Sequence, residues 1–392
     1  MTGGEVMVIA LTNGCIYTMA GNILKNGTII WDNEKITNVG ENIEIPSDAE
    51  VIDLHGKSVL PGFIDAHTHL GILEEIYQQE GNDLNEFTEP ITPEMRALDA
   101  VNPFDIGFQD AIAGGITTVM TGPGSANVIG GTNLVMKTTG SNYEEMVLIP
   151  QAGLKVAFGE NPKCVFNEQK KVPSTRMGVA ALLRQSFVDA EDYMQKKKNS
   201  VDSEEVFERD LGMENLVLVL KKEIPLRVHA HRADDILTAL RITDEFGIDI
   251  ILEHGTEAHK VIPEILKRNI PVVVGPTLSS RSKVELAEMT WKTVSLLNEA
   301  GIMVAITTDH SEVPVQYLPL CASLAVKNGM KEEEALKAIT INPAKILKLD
   351  HRIGSLEKGK DADIVVMSGH PLDWHTNIEQ VYVNGKKVYD II

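Results

Sequence analysis

The chemical content of this sequence lies in a set of nitrogen and oxygen donors: His67-Thr68-His69, Glu160, His229-Ala230-His231, His254 and Asp309. Side chains two apart in an extended strand point the same way, so His67 and His69 can face one ion together, as can His229 and His231. The set suits Zn2+, Mn2+ or Fe2+ and contains no thiolate. A lone His-x-His pair is a weak signal. Here the weight comes from placement, because these residues close or follow separate apolar runs. His55, His259, His351, His370 and His375 fall elsewhere, and His310, directly after Asp309, would point the other way in an extended chain, so these histidines are assigned no role. The chemistry that such donors serve is water activation: a divalent ion can bring the pKa of a bound water down to about 7, and a carboxylate alongside can take up the proton.

The elements that must position these donors alternate between strand-like runs and helical periodicity. The clearest strands are 62–66, 117–121, 154–158, 226–230, 249–253, 272–275 and 303–307, and an eighth, needed to close a barrel, is expected between 134 and 150, where two apolar runs compete. Helical periodicity reads at 104–113, 177–197, 234–246, 261–268, 291–300, 331–339 and 343–347. Alternation of this kind predicts repeated βα units and a parallel sheet. The chain ends differ. Short runs at 6–11, 28–31, 36–39 and 51–54, and again at 363–367, 380–383 and 387–389, are punctuated by Asn-Gly and Pro and read as strands. The expected fold is α/β: a (β/α)8 TIM barrel over 59–350, with a small β-sandwich formed by 1–58 and 351–392.

With 392 residues, 43% of them hydrophobic, the chain can bury a large core. Its 36 basic and 56 acidic residues give a net charge of -20, which repels phosphate backbones and anionic lipid surfaces; neither nucleic acid nor membrane is an expected partner. Cys15, Cys164 and Cys321 are too few and too scattered for a disulfide framework or a Cys-rich metal site, and a reducing, cytoplasmic setting is the expectation. Glu5 and the short apolar stretch 6–11 read as a first strand and not as a secretory leader. No apolar run approaches the roughly 20 residues that cross a bilayer.

The stretch Leu60-Pro61-Gly62-Phe63-Ile64-Asp65-Ala66-His67-Thr68-His69 resembles the opening metal motif of the amidohydrolase superfamily, close to its imidazolonepropionase-like branch. Gly115-Ile116-Thr117-Thr118-Val119 resembles the second strand of that family, Leu252-Glu253-His254 the sixth and Thr307-Thr308-Asp309 the eighth, and the tail from Gly354 to Asp363 resembles the return into the β domain. The likeness runs from about Val6 to Tyr389. It implies that His67 and His69 hold one metal, that His229 and His254 hold a second or complete the first, and that Asp309 is both ligand and catalytic base. Two-metal members bridge their ions with a carboxylated lysine or a glutamate, for which this chain offers Lys155, Glu160 and Lys163. Glu160 is favoured: it follows Gly159 at the expected strand end, whereas Lys155 would sit about 15 Å further down at ~3.3 Å per residue. The family usually takes its fifth-strand ligand from the position of His229, which leaves His231 for the substrate.

Deaminase branches carry a glutamate shortly after this histidine, and here the chain reads His231-Arg232-Ala233. The expected function is therefore hydrolysis of a C–N bond (amide, lactam or N-acyl) by metal-activated hydroxide, with one or two ions, Zn2+ first among them. The alternatives are an amino-sugar deacetylase, a deaminase, or a catalytically silent scaffold. Arg176, Arg232 and Arg281 lie in expected βα loops, where a guanidinium can pair with a substrate carboxylate. The glycine-rich stretch after the second strand (122–133) lacks the Lys-Ser/Thr ending of a P-loop. The acidic segment 74–96 reads as a lid or a long surface loop. The expected partners are a small, carboxylate-bearing substrate and further copies of the chain in a homo-oligomer.

Overall fold

Strands at both ends of the chain and strands in its middle form two separate eight-stranded sheets. The structure is a computed structural model that describes residues 8–391 apart from Tyr77, Glu204 and Glu205. Val6 and Met7 of the first expected strand lie outside the described residues.

The end sheet takes β1 (Val8–Ile16), β2 (Leu24–Asp32), β3 (Lys35–Glu41), β4 (Glu50–Asp53) and β5 (Ser58–Pro61) from the N-terminal side. Its other strands are β14 (Ile364–Met367), β15 (Ile378–Val383) and β16 (Lys386–Asp390). The two halves meet where β14 runs antiparallel to β5, with Ile364 opposite Pro61. Ile9, Leu11, Ile29, Trp31, Ile364, Val366 and Tyr382 share its core, and Trp31 meets Tyr382 edge-on at 5.0 Å.

The middle sheet follows chain order: β6 (Phe63–Thr68), β7 (Ile116–Thr121), β8 (Ile129–Lys137), β9 (Val147–Ala157), β10 (Leu226–Ala230), β11 (Ile250–His254), β12 (Val272–Val274) and β13 (Val304–Ile306). This is the expected TIM-type barrel with one reversal. β8 runs antiparallel to both of its neighbours. Both apolar runs between 134 and 150 are strand: the first ends β8 and the second begins β9, which is eleven residues long.

Alternation along the strands divides the barrel into two faces. Leu154, Val156, Leu226, Val228, Leu252, Val272 and Val304 join the main core together with apolar residues of the surrounding helices. Lys155, Arg227 and Glu253 alternate with them and are nevertheless fully buried, so they occupy the opposite, inward face.

Between β13 and β6, among the described residues, no ladder closes the barrel. Side chains make that seam. The Asp65 carboxylate accepts from Thr307 Oγ1 at 2.6 Å through one oxygen, and from the Thr308 backbone N (2.9 Å) and Oγ1 (2.6 Å) through the other. The His69 amide donates to the His310 carbonyl at 2.8 Å. The barrel is tied to the end sheet by Lys137, the last residue of β8, which is buried against Asp361 and Asp363.

Candidate metal centre

Two groups of three ligand atoms face each other at the C-terminal ends of the barrel strands. His67, His69 and Asp309 form one, and His229, His231 and His254 the other; within each, the ligand atoms all lie within 4.8 Å of one another. His67 and His229 are presented by β6 and β10, His69 and His231 from just beyond those strands, and His254 from the end of β11. His254 (φ 66°) and Asp309 (φ 52°) take the left-handed backbone conformation that most side chains avoid, and this turns each where its strand stops. One oxygen of Asp309 is 3.2 Å from His67 Nε2 and 3.3 Å from His69 Nε2, and the other is 3.8 Å from His254 Nδ1.

Hydrogen bonding settles where the imidazole protons sit. His69 Nδ1 is 2.6 Å from the Gly122 carbonyl and His254 Nδ1 is 2.7 Å from the Gly275 carbonyl, and a carbonyl can only accept. In the neutral rings the Nε2 atoms therefore carry lone pairs. Burial holds His69 below its ordinary pKa, His229 and His254 well below it, and His231 at about 4. Burial also opposes the charge on Asp309, yet the surrounding histidines, His254 first, keep it well below the usual carboxylate range. Lone pairs and an ionised oxygen thus converge in a buried site. That juxtaposition is unfavourable without a cation and ordinary around one, so the residues fit a divalent ion.

Lys155 stands at this site and Glu160 stands beside it. β9 ends at Ala157, only two residues past Lys155, and the Lys155 amine is 3.5 Å from His67 Nε2. The expected 15 Å offset does not hold. Burial lowers this amine to about 8. Glu160 opens the helix Glu160–Glu168; its carboxylate accepts from the Glu285 amide at 3.3 Å, and its own amide donates to Glu285 Oε2 at 2.9 Å. Glu160 does not belong to the two groups.

The arginines expected to meet substrate are engaged elsewhere. Arg176 forks onto Asp235 (2.8 and 3.1 Å), Arg232 forks onto Asp234 (2.9 and 3.0 Å), and Arg281 donates to the Met289 carbonyl at 2.6 Å. None of the three lines the cavity of about 300 Å3 above the histidines. Lys283 does line it, with its amine 2.9 Å from Asn161 Oδ1 and 3.5 Å from Glu285 Oε1. Part of the acidic segment roofs the cavity: Leu84, Asn85 and Phe87 line it, and Asn127 Nδ2 is 2.6 and 2.7 Å from the Glu86 and Glu89 carbonyls. The glycine-rich stretch packs below it, where a Cβ on Gly122 would lie 1.7 Å from Asn133 Nδ2.

Besides Lys283, the sequence reading missed three groups. Glu253 is 2.7 Å from His67 Nδ1 and 2.5 Å from Arg227 Nε, and Glu285 Oε1 stands 3.7 Å from His231 Nε2 and 3.9 Å from His229 Nε2. Arg227 and Glu253 had a signal: each is a charge inside an apolar strand run, with Arg227 two residues before His229 and so on its face. Glu285 comes from a single 3-10 turn, Val284–Leu286, too short to leave a periodic pattern, and had none.

The amidohydrolase family matches residues 58–388, and the NagA composite domain matches residues 8–59. The chain belongs to the amidohydrolase family. Within that family this amidohydrolase falls on the imidazolonepropionase-like branch. It is 47% identical to an amidohydrolase of known structure from Thermotoga maritima, with a TM-score of 0.95 over 97% of this chain and 100% of that one. It is 25% identical to an imidazolonepropionase from Fusobacterium nucleatum over 94% of this chain and 92% of that protein. It is 27% identical to the amidohydrolase tasK of Hapsidospora irregularis over 93% of this chain, and spans 40% of that longer protein. Among the described residues, no helix is long and apolar enough to cross a membrane.

Proposed function

We propose that this amidohydrolase cleaves a C–N bond (amide, lactam or N-acyl) in a small, carboxylate-bearing molecule. The observation that supports this reading is the position of Asp309, ionised and within 3.8 Å of three of the histidines, on the floor of a cavity of small-molecule size. His67, His69 and Asp309 would hold one divalent ion, and His229 and His254, with His231 beside them, a second or the rest of the first. Zn2+ suits these nitrogen and oxygen donors best. When bound, such an ion polarises a carbonyl and makes water a nucleophile at neutral pH.

The protein's own groups do the remaining work. Asp309 accepts the proton from the attacking water and passes it to the leaving nitrogen. Lys155, in carboxylated form, would take the ligand part expected of Glu160, a reading supported by its amine 3.5 Å from His67 Nε2. Lys283 takes the carboxylate-binding part expected of the arginines, and Leu84 and Phe87 shield the cavity from water. Both groups of ligands are intact, which favours an enzyme over a silent scaffold.

The test is turnover by the Zn2+-loaded protein on an imidazolone propionate, N-acyl amino acids and Xaa-Pro dipeptides. Asp309→Asn is expected to lower kcat by about 10²–10⁴. Full turnover by that variant would remove Asp309 as the base. Glu285, near His231, favours one second reading, a deaminase whose carboxylate comes from another loop. Ammonia released from a cyclic amidine, with none of the panel hydrolysed, would establish it in place of the first.

A further inference from the structure

We infer that Arg227 and Glu253 form a buried dyad that braces His67, making the His67, His69 and Asp309 group the tighter of two unequal metal sites. This rests on the metal reading above and is independent of the reaction catalysed.

Each partner of the dyad is inaccessible: Arg227, Glu253 and His67 all have 0% relative exposure. Glu253 offers one oxygen to His67 Nδ1 at 2.7 Å and the other to Arg227 Nε at 2.5 Å. Arg227 Nη2 donates in turn to the carbonyl of Ala66 at 2.6 Å, so the dyad grips both the ring of His67 and the backbone just before it. A carboxylate at the far nitrogen of a ligating imidazole fixes its tautomer and ring plane and makes the near nitrogen a stronger donor.

The other group has weaker support. His254 leans on the Gly275 carbonyl and His231 on the Thr256 hydroxyl, each at 2.7 Å and each a neutral partner. Neither ring nitrogen of His229 has a hydrogen-bond partner. Charge-assisted hydrogen bonds are roughly twice as strong as neutral ones. His69 also leans on a neutral carbonyl, so the difference lies at His67: an ionised carboxylate stands 2.7 Å from its Nδ1, and no ring of the second group has a carboxylate so near. A buried ion pair is in itself weak support for a fold, because apolar residues of similar volume often serve as well. Leu226 and Val228 flank Arg227, and Leu252 precedes Glu253, so the charged dyad interrupts apolar runs where His67 needs a partner.

Glu253 is thus a positioning residue, and metal binding tests it more directly than turnover does. Metal-free protein is titrated with Zn2+ against a competing chelator, and the melting of each metal-free sample is recorded. Wild type is expected to bind in two unequal steps, and His229→Ala to remove the weaker one. Glu253→Gln is expected to weaken the tighter step about 10–100-fold while leaving the weaker step in place. Should Glu253→Gln fail to fold, Arg227→Met combined with it removes the unbalanced buried charge and carries the same test. An unchanged tighter step in a folded variant overturns the inference, as does equal weakening of both steps or a wild type that fills both sites in one. A wild type that binds no Zn2+ overturns the metal reading itself.

Discussion

Buried beside His67 with its amine 3.5 Å from the ring, Lys155 is fixed in place by the point at which β9 stops. Lys155→Met is expected to lower retained Zn2+ from two equivalents to one or fewer, and Glu160→Ala to leave it unchanged; plasma mass spectrometry of matched samples distinguishes these. The opposite result would return Glu160 to the site. At this scale the sequence carried most of the site. The spacing of His67 with His69 and of His229 with His231, and the strand ends at His254 and Asp309, show directly as residue types at i and i+2 positions. What it hid depends on distances along and between elements. The expected strand 154–158 starts seven residues after β9 does and ends one residue beyond it, which put Lys155 near a strand start and favoured Glu160. Glu285 approaches His231 from 54 positions away, on a 3-10 turn too short to show periodicity.

β8 shows why one element escaped. All nine of its residues are buried, so neither an alternating nor a helical pattern marks it, and nothing in a buried run encodes direction. Its end at Lys137 is where the two sheets are joined. Lys137→Met would leave Asp361 and Asp363 buried with less compensation, although Lys35 and Arg352 still reach Asp361 at 2.5 and 2.7 Å. A loss of about 3–5 kcal/mol in urea denaturation is expected, and a change below about 1 kcal/mol would mean the join lies elsewhere. β15 carries a pH signature. Burial pushes the Tyr382 phenol up to about 12 from its ordinary 10, so above pH 10 the unfolded chain gives up a proton that the folded chain keeps. Stability is expected to fall between pH 10 and 12, and Tyr382→Phe to flatten that fall in melting curves taken across the range.

For the whole molecule, any ion bound only by the folded chain stabilises it through mass action, by about 2.7 kcal/mol when free metal is 100 times Kd. Stripping the ion with a chelator is expected to lower the melting temperature, and restoring Zn2+ to recover it; a melting point indifferent to both would place the ion outside the fold. The overall plan of a barrel flanked by paired chain ends was readable, because it follows from the order of strand-like and helical runs. The reversed strand and the side-chain seam were not, since both concern how distant segments meet. That seam bears on the order of events in a growing chain. Thr307 and Asp65 lie 242 positions apart, and contacts of such range form late. His67 and Asp309 sit on opposite sides of the same junction, so their shared binding place cannot exist until the last barrel strand has been made and has docked against the first. An ion held by His67, His69 and Asp309 cannot serve as a template for early folding, and its retention there certifies that a given molecule has closed.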